Sequence, residues 1–252
     1  MNKYNIILLI IVLIYITLLI NNKERFNLYK NIIPKKIFLS YKTKNIPDNV
    51  IKHLQKLNED YEIHLYDNDD CRQFIKDNYT QLHVDIFNFL EDGPIKADFW
   101  RLCILYKYGG VYSDIDIEFL VPIDTIINME KDVTFYTCNS IGGGLNPHVI
   151  ITVKEHPLIE KCIEEYIRKY KNGEKYTYWG YSITGIMSQE YELNVSSNKS
   201  EGIYEDKNKR KYMIISEVGE IRRLSEVYCS YNNFKLLNNR HRSYDPNRHE
   251  FR

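Results

Sequence analysis

From Ile33 onward, apolar positions recur alternately at the spacing of strands and of helices. Lys36–Ser40 predicts a strand, and Asp48, following Pro47, predicts the start of a helix to about Leu57. Tyr61–Tyr66 alternates as a second strand, and the acidic cluster Asp67-Asn68-Asp69-Asp70 predicts a capped helix to about Asn78. Pro94 stands where a first helical turn accepts it, and the periodic segment that follows runs to Tyr108, where Gly109-Gly110 closes it. Val111–Leu120 reads as strand, loop, strand, and Thr134–Cys138 as another short strand. Gly142-Gly143-Gly144 predicts a flexible loop, and His156–Lys171 a helix beginning beside Pro157. Beyond Gly173 the pattern weakens, with late strands expected at Lys211–Ser216 and Ile221–Leu224 around Val218-Gly219. The β-α-β-α opening argues for one α/β domain with a mostly parallel central sheet. No internal repeat or linker divides it.

One segment departs from this pattern. Ile6–Ile20 is an uncharged run of 15 residues with Tyr15 and Thr17 as its polar interruptions. As a helix it rises roughly 22 Å, short of a hydrocarbon layer of roughly 30 Å, so Tyr4 and Asn21 would sit at the interface. Because Asn21-Asn22-Lys23-Glu24-Arg25 follows in place of a small-residue cleavage site, residues 1–25 read as an uncleaved signal anchor, ahead of a cleaved signal peptide or a buried core helix. The expected division is therefore 1–25 and a single catalytic domain over 26–252. A lumenal, single-pass type II arrangement would suit the sequons at Asn78, Asn194 and Asn198. The basic residues that follow the run, Lys23, Arg25, Lys30, Lys35 and Lys36, argue for the opposite orientation.

Charge narrows the function. The 34 basic and 34 acidic side chains cancel, which argues against a cationic nucleic-acid binder. Residues 1–25 contribute Lys3, Lys23, Arg25 and Glu24, leaving the remaining chain slightly acidic. Cys71, Cys103, Cys138, Cys162 and Cys229 are dispersed without a C-x-x-C, so no zinc ribbon or redox motif is spelled out and buried thiols are expected.

The sharpest chemical feature is Asp114-Ile115-Asp116 at the end of a strand after a Gly-Gly turn. In an extended chain the two carboxylates share one side while Ile115 and Ile117 face the core. Such a pair offers hard oxygen ligands to Mg²⁺ or Mn²⁺, and so a hold on a diphosphate; on spacing alone it reads more readily as a solvated acidic turn. Asp98 and Arg101 share one helix face at i, i+3, either as a surface ion pair or as groups reaching over the sheet end toward sugar hydroxyls. Asn146, after the triple glycine, is a candidate acceptor contact or a turn residue.

Three strings carry a resemblance: Ile33-Pro34-Lys35-Lys36-Ile37, then Ala97-Asp98-Phe99-Trp100-Arg101, then Tyr108-Gly109-Gly110-Val111-Tyr112-Ser113-Asp114-Ile115-Asp116. Together they resemble the DXD-containing sugar transferases of glycosyltransferase family 32, over about Ile33 to Asp124 and fading after Leu158. The resemblance implies a GT-A type fold and retaining transfer of a hexosyl group from a nucleoside diphosphate sugar (a UDP- or GDP-hexose) to a hydroxyl on a glycan or glycoconjugate. The implied ion is Mn²⁺ or Mg²⁺. By position, Asp116 would ligate the ion, Asp114 would reach it through water or contact the ribose, and Asp98 and Arg101 would hold the donor sugar. Relatives often continue I-P-K-x-I-H-x-x-W; here Phe38 and Tyr41 stand at the last two marked places, leaving Tyr41 to stack on the base. Thr184-Gly185-Ile186 lacks the family's Pro. His241 and Ser243 loosely resemble a C-terminal stretch of some relatives, which makes His241 a candidate further metal ligand; a basic tail is the other reading.

Two competing functions use the same residues. A haloacid-dehalogenase-type phosphohydrolase also places D-x-D after a strand, but after the first one and with Thr or Val where Glu118 stands. A binding module that keeps the donor pocket without turnover is the other.

Overall fold

A computed structural model describes residues 32–195, 199–220 and 227–239, together with the strand residues 244–245 and 250–251. The predicted anchor at residues 1–25, the strand at Ile221–Leu224, and His241 and Ser243 lie outside the described residues, as does Asn198. Among the described residues no helix is long and apolar enough to cross a membrane.

The predicted opening is present as β1 (Lys36–Ser40), α1 (Asp48–Leu57), β2 (Glu62–Tyr66) and α2 (Asn68–Asn78). Asp67 caps α2 by accepting from the backbone N–H groups of Asp69 and Asp70, while Asp70 reaches back to the N–H of Asp67. A helix that the pattern did not suggest, α3 (Gln81–Phe89), precedes the long α4 (Gly93–Tyr108). Then come β3 (Gly110–Ser113), β4 (Glu118–Phe119), α5 (Ile123–Ile127), β5 (Val133–Asn139), β6 (Leu145–Thr152) and α6 (Pro157–Lys171). The weakly patterned remainder forms α7 (Ile183–Val195), β7 (Gly202–Glu205), β8 (Lys211–Val218), β9 (Tyr228–Tyr231) and β10 (Phe234–Asn238). A two-stranded pair, β11 (Tyr244–Asp245) with β12 (Glu250–Phe251), ends the described part.

The main sheet has ten strands in the order β2-β1-β3-β6-β5-β8-β9-β10-β4, with β7 beside β8. It is mixed rather than mostly parallel. β2, β1, β3, β5 and β8 share one direction, but β6 is inserted antiparallel between β3 and β5, and the pairings that extend past β8 are antiparallel. The reversal follows from connection length: the loop between Asn139 and Leu145 closes as a hairpin, which joins antiparallel strands, whereas a parallel return needs a crossover.

Alternation along the central strands splits the apolar residues between two faces. Phe38, Tyr112, Ile150, Tyr212 and Ile214 pack under α2, α3, α4, α6 and α7, while Ile37, Leu39, Val111, Ile151, Met213 and Ile215 form the other core. α4 lies within the first core and buries Ile95, Phe99, Trp100, Leu102, Cys103, Ile104 and Leu105 along with its polar Asp98 and Arg101. Helix and strand join through two glycines. Gly109 has φ +66°, and a Cβ there would stand 2.5 Å from the Lys154 amide nitrogen; Gly110 has φ +98°, with a Cβ 2.6 Å from the Lys36 carbonyl oxygen. We expect Gly109→Ala to lower the unfolding free energy by about 2–4 kcal/mol through left-handed strain plus backbone clash, with the loss read from urea midpoints.

Candidate functional site

The strands that share a direction end on one rim, and register sets what meets there. β1 and β3 are neighbours paired at Phe38 and Tyr112, so Ser40 stands level with Asp114. Strand β3 stops at Ser113, and the Asp114 amide then donates to the His148 carbonyl of β6 at 2.8 Å. Asp114-Ile115-Asp116-Ile117 is a turn, closed by the Ile117 N–H on the Asp114 carbonyl at 3.2 Å, rather than the extended segment expected. The turn achieves the expected separation all the same. Ile115 and Ile117 are nearly buried, and the two carboxylates reach solvent-accessible cavities.

Two cavities meet at these aspartates. The larger, about 630 Å³, is lined by Ser40, Tyr41, Lys42, Asn68, Arg101, Tyr112 and Tyr178 among others. The smaller, about 350 Å³, is lined by Ser140, Asn146, His148, Glu217 and Asn239. Asp114 and Asp116 line both. Asp98, Arg101, Tyr41, Asp114 and Asp116 are thus gathered at one rim. Phe38 is not part of it: at 2 % exposure it stacks in the core between His64 and Tyr108.

Asp98 and Arg101 form a buried pair, not a surface one. Their side chains are 10 % and 6 % exposed, and Arg101 stands 2.9 Å from Asp98 and 3.1 Å from Asp114. Arg101 also donates to the Pro147 carbonyl at 2.8 Å and lies over the Tyr112 ring, its Cζ 4.1 Å from the centroid. The second oxygen of Asp98 accepts the Ile183 N–H at the start of α7 at 3.1 Å. Burial raises the Asp98 carboxyl to about 6, opposed by Arg101 and by that N–H. Burial would lower the Arg101 guanidinium, but Asp114, Tyr112 and Asp98 outweigh it, so its net shift is upward.

Tyr112, which sequence reasoning left out, completes the arrangement. Its hydroxyl donates to Asp114 Oδ1 at 2.7 Å and lies 3.4 Å from Ser40 Oγ. The signal was available, since Tyr112 and Asp114 stand at i, i+2 where a strand ends. Glu217 was also missed. It accepts from the Ile141 N–H at 2.9 Å, from Asn146 Nδ2 at 3.1 Å and from Asn239, tying the glycine loop to β8 and to the residue that follows β10. Its position follows from pairing of distant strands, which no local pattern encodes.

A guanidinium between two carboxylates, set beside an open carboxylate turn, is suited to holding an anionic, hydroxyl-rich ligand. Residues 47–133 match the family described as "Glycosyltransferase sugar-binding region containing DXD motif". Over that stretch the chain is similar to the DXD-containing sugar transferases of glycosyltransferase family 32. It is 32 % identical over 143 residues to a mannosyl phosphorylinositol ceramide synthase of Saccharomyces cerevisiae, covering 56 % of this chain and 36 % of the relative. An alpha-1,4-N-acetylglucosaminyltransferase of Homo sapiens is 29 % identical over 114 residues, 38 % of this chain and 31 % of that one. The initiation-specific alpha-1,6-mannosyltransferase of Candida albicans is 32 % identical over 104 residues, 38 % and 27 %. The chain thus covers about a third of the length of these relatives. Among solved structures, "PaToxG Glycosyltransferase" aligns with a TM-score of 0.48 at 17 % identity, over 64 % of this chain and 69 % of that one.

Removing Arg101 would leave Asp98 buried and unpaired. We expect Arg101→Met to cost about 3–5 kcal/mol in urea unfolding, and the Asp98→Asn, Arg101→Met double variant to cost clearly less than the sum of its parts. Additive losses would show that the pair is not coupled.

Proposed function

We propose that this chain is a metal-dependent, retaining glycosyltransferase with a GT-A type fold. It would move a hexosyl group from a nucleoside diphosphate sugar to a hydroxyl on a glycan or glycoconjugate. The observation that carries the reading is the junction of two cavities at Asp114 and Asp116, beside the buried Asp98–Arg101 pair, inside the segment that matches the DXD family. The names of the relatives, mannosyl and N-acetylglucosaminyl transferases, support a hexose donor. The apolar run at residues 6–20 supports attachment to a membrane.

The larger cavity would take the donor, with Tyr41 against the base and Asp98 and Arg101 fixing the sugar. Asp116 would hold Mn²⁺ or Mg²⁺, and Asp114 would support it through water or bind the ribose. The donor set fits a hard cation: carboxylate oxygens at a partly exposed turn facing open space. When bound, the ion supplies Lewis-acid stabilisation of the departing diphosphate. Arg101 adds fixed positive charge from a dry site, where it needs no reorganisation as the sugar–phosphate bond lengthens. The smaller cavity, with Asn146 and Glu217, would admit the acceptor hydroxyl.

The phosphohydrolase reading loses its support in the fold. The D-x-D follows the third strand, and Glu118 is buried in β4 with its carboxylate accepting from Asn238 at 2.9 Å.

Incubating the full-length chain in detergent with a panel of UDP and GDP sugars and Mn²⁺ should release free nucleoside diphosphate from one donor. Asp116→Ala should reduce that release by about 10²–10³-fold. Turnover of simple phosphomonoesters, or nucleotide binding with no turnover toward any acceptor, would overturn the proposal. Donor binding itself should disappear on chelation with EDTA and return with Mn²⁺.

A further inference from the structure

Below the D-x-D turn, three strands bring soft ligand atoms together. Cys138 of β5, His148 of β6 and Cys229 of β9 are buried, and their sulfur and ring-nitrogen atoms all lie within 4.8 Å of one another. Cys229 Sγ and His148 Nε2 are 3.6 Å apart. Two ligands on a tetrahedral zinc, with Zn–S about 2.3 Å and Zn–N about 2.0 Å, stand about 3.5 Å from each other, so this pair is already at coordination spacing.

The surroundings of His148 separate it from an ordinary core histidine. His156, also fully buried, has both ring nitrogens satisfied: Nδ1 accepts the Leu158 N–H at 3.2 Å and Nε2 lies 3.3 Å from Thr134 Oγ1. His148 faces a sulfur with one nitrogen, and its Nδ1 is buried without a hydrogen-bond partner. No hydrogen-bond pair therefore fixes this ring, although buried polar atoms are as a rule paired.

We propose that Cys138, His148 and Cys229 form a Zn²⁺ site, with a water drawn from the adjoining 350 Å³ cavity as fourth ligand. His148 and Asn239 line that cavity, and Asn239 Oδ1 stands 3.2 Å from Cys229 Sγ. The charges balance: each thiol loses its proton to solvent, and two thiolates neutralise one Zn²⁺, so the buried cluster carries no net charge. Sulfur and imidazole select zinc over the hard cations suited to the Asp114–Asp116 carboxylates, so neighbouring sites would sort their metals by ligand chemistry. The ion would pin three strands at the point where the His148 carbonyl receives the Asp114 N–H, holding the D-x-D turn in place. The Cys and His positions are dispersed in sequence, which is why no zinc spacing announces them.

The test measures zinc by atomic emission on the full-length chain, made in zinc-replete medium and passed through EDTA to strip loosely held ions. One zinc per chain is expected in the wild type and in Asp116→Ala, which separates this site from the proposed catalytic ion. Cys138→Ser with Cys229→Ser should lower retention roughly tenfold or more. Co²⁺ added to the unaltered wild-type apoprotein should give a thiolate-to-cobalt charge-transfer band, a readout that survives if the double variant fails to fold. Wild-type protein that retains no zinc and gives no such band would overturn the site. So would zinc content unchanged in the double variant, or a Cys138–Cys229 disulfide found by non-reducing mass spectrometry.

Discussion

A single buried cation organises the rim of this fold. Arg101 projects from α4 and is held by carboxylates of α4 and of the D-x-D turn, by the Pro147 carbonyl of β6 and by the face of Tyr112 in β3. Removing a guanidinium from water carries a large desolvation cost, which falls only when several acceptors converge on it. The elements bearing those acceptors therefore cannot shift independently of one another. Asp98 extends the constraint, because its second oxygen receives the Ile183 N–H and ties in the start of α7.

The same constraint separates the roles of the two aspartates. Oδ1 of Asp114 receives both Arg101 and the Tyr112 hydroxyl, so this carboxylate is oriented from behind and partly neutralised before any ligand arrives. Asp116 stands two residues further round the turn, at the boundary of both cavities, where an ion would contact whatever occupies either. The commitment of Asp114 Oδ1 to Arg101 and Tyr112 is what supports the proposed indirect role for Asp114, with the direct one proposed for Asp116.

The sequence made legible what depends on neighbours along the chain. The capped α2, Pro94 in the first turn of α4, the Gly109-Gly110 junction and the strands β1, β2 and β3 follow local rules and stand where the pattern placed them. What was not legible depends on distant partners. α3 and α7 have buried faces in the helical core, yet their polar residues blur the helical period. The reversal of β6 hangs on a short hairpin loop that composition described as merely flexible. At the site, the Asp98–Arg101 spacing fitted a surface pair equally well. Only packing of α4 beneath α6 and α7 decides for burial, and that makes a weak i, i+3 contact a structural centre. Glu217 and His148 reach the rim through pairing of β5, β6 and β8, so their place could not be read from local pattern.

Net charge gains meaning only when set against these local arrangements. Beyond residue 25 the chain holds nearly equal numbers of acidic and basic residues, so its overall field does little to draw in a diphosphate. At the rim carboxylates predominate: Asp98, Asp114 and Asp116 stand with one buried guanidinium, and Lys42 is on the wall of the larger cavity. A diphosphate in that cavity would stand beside the Asp114 and Asp116 carboxylates, and the Arg101 charge is already shared with Asp98 and Asp114. A divalent cation between the carboxylates and the phosphates reverses the sign of the encounter. The acidic turn, which would repel the proposed donor on its own, thereby becomes the reason its binding should depend on metal.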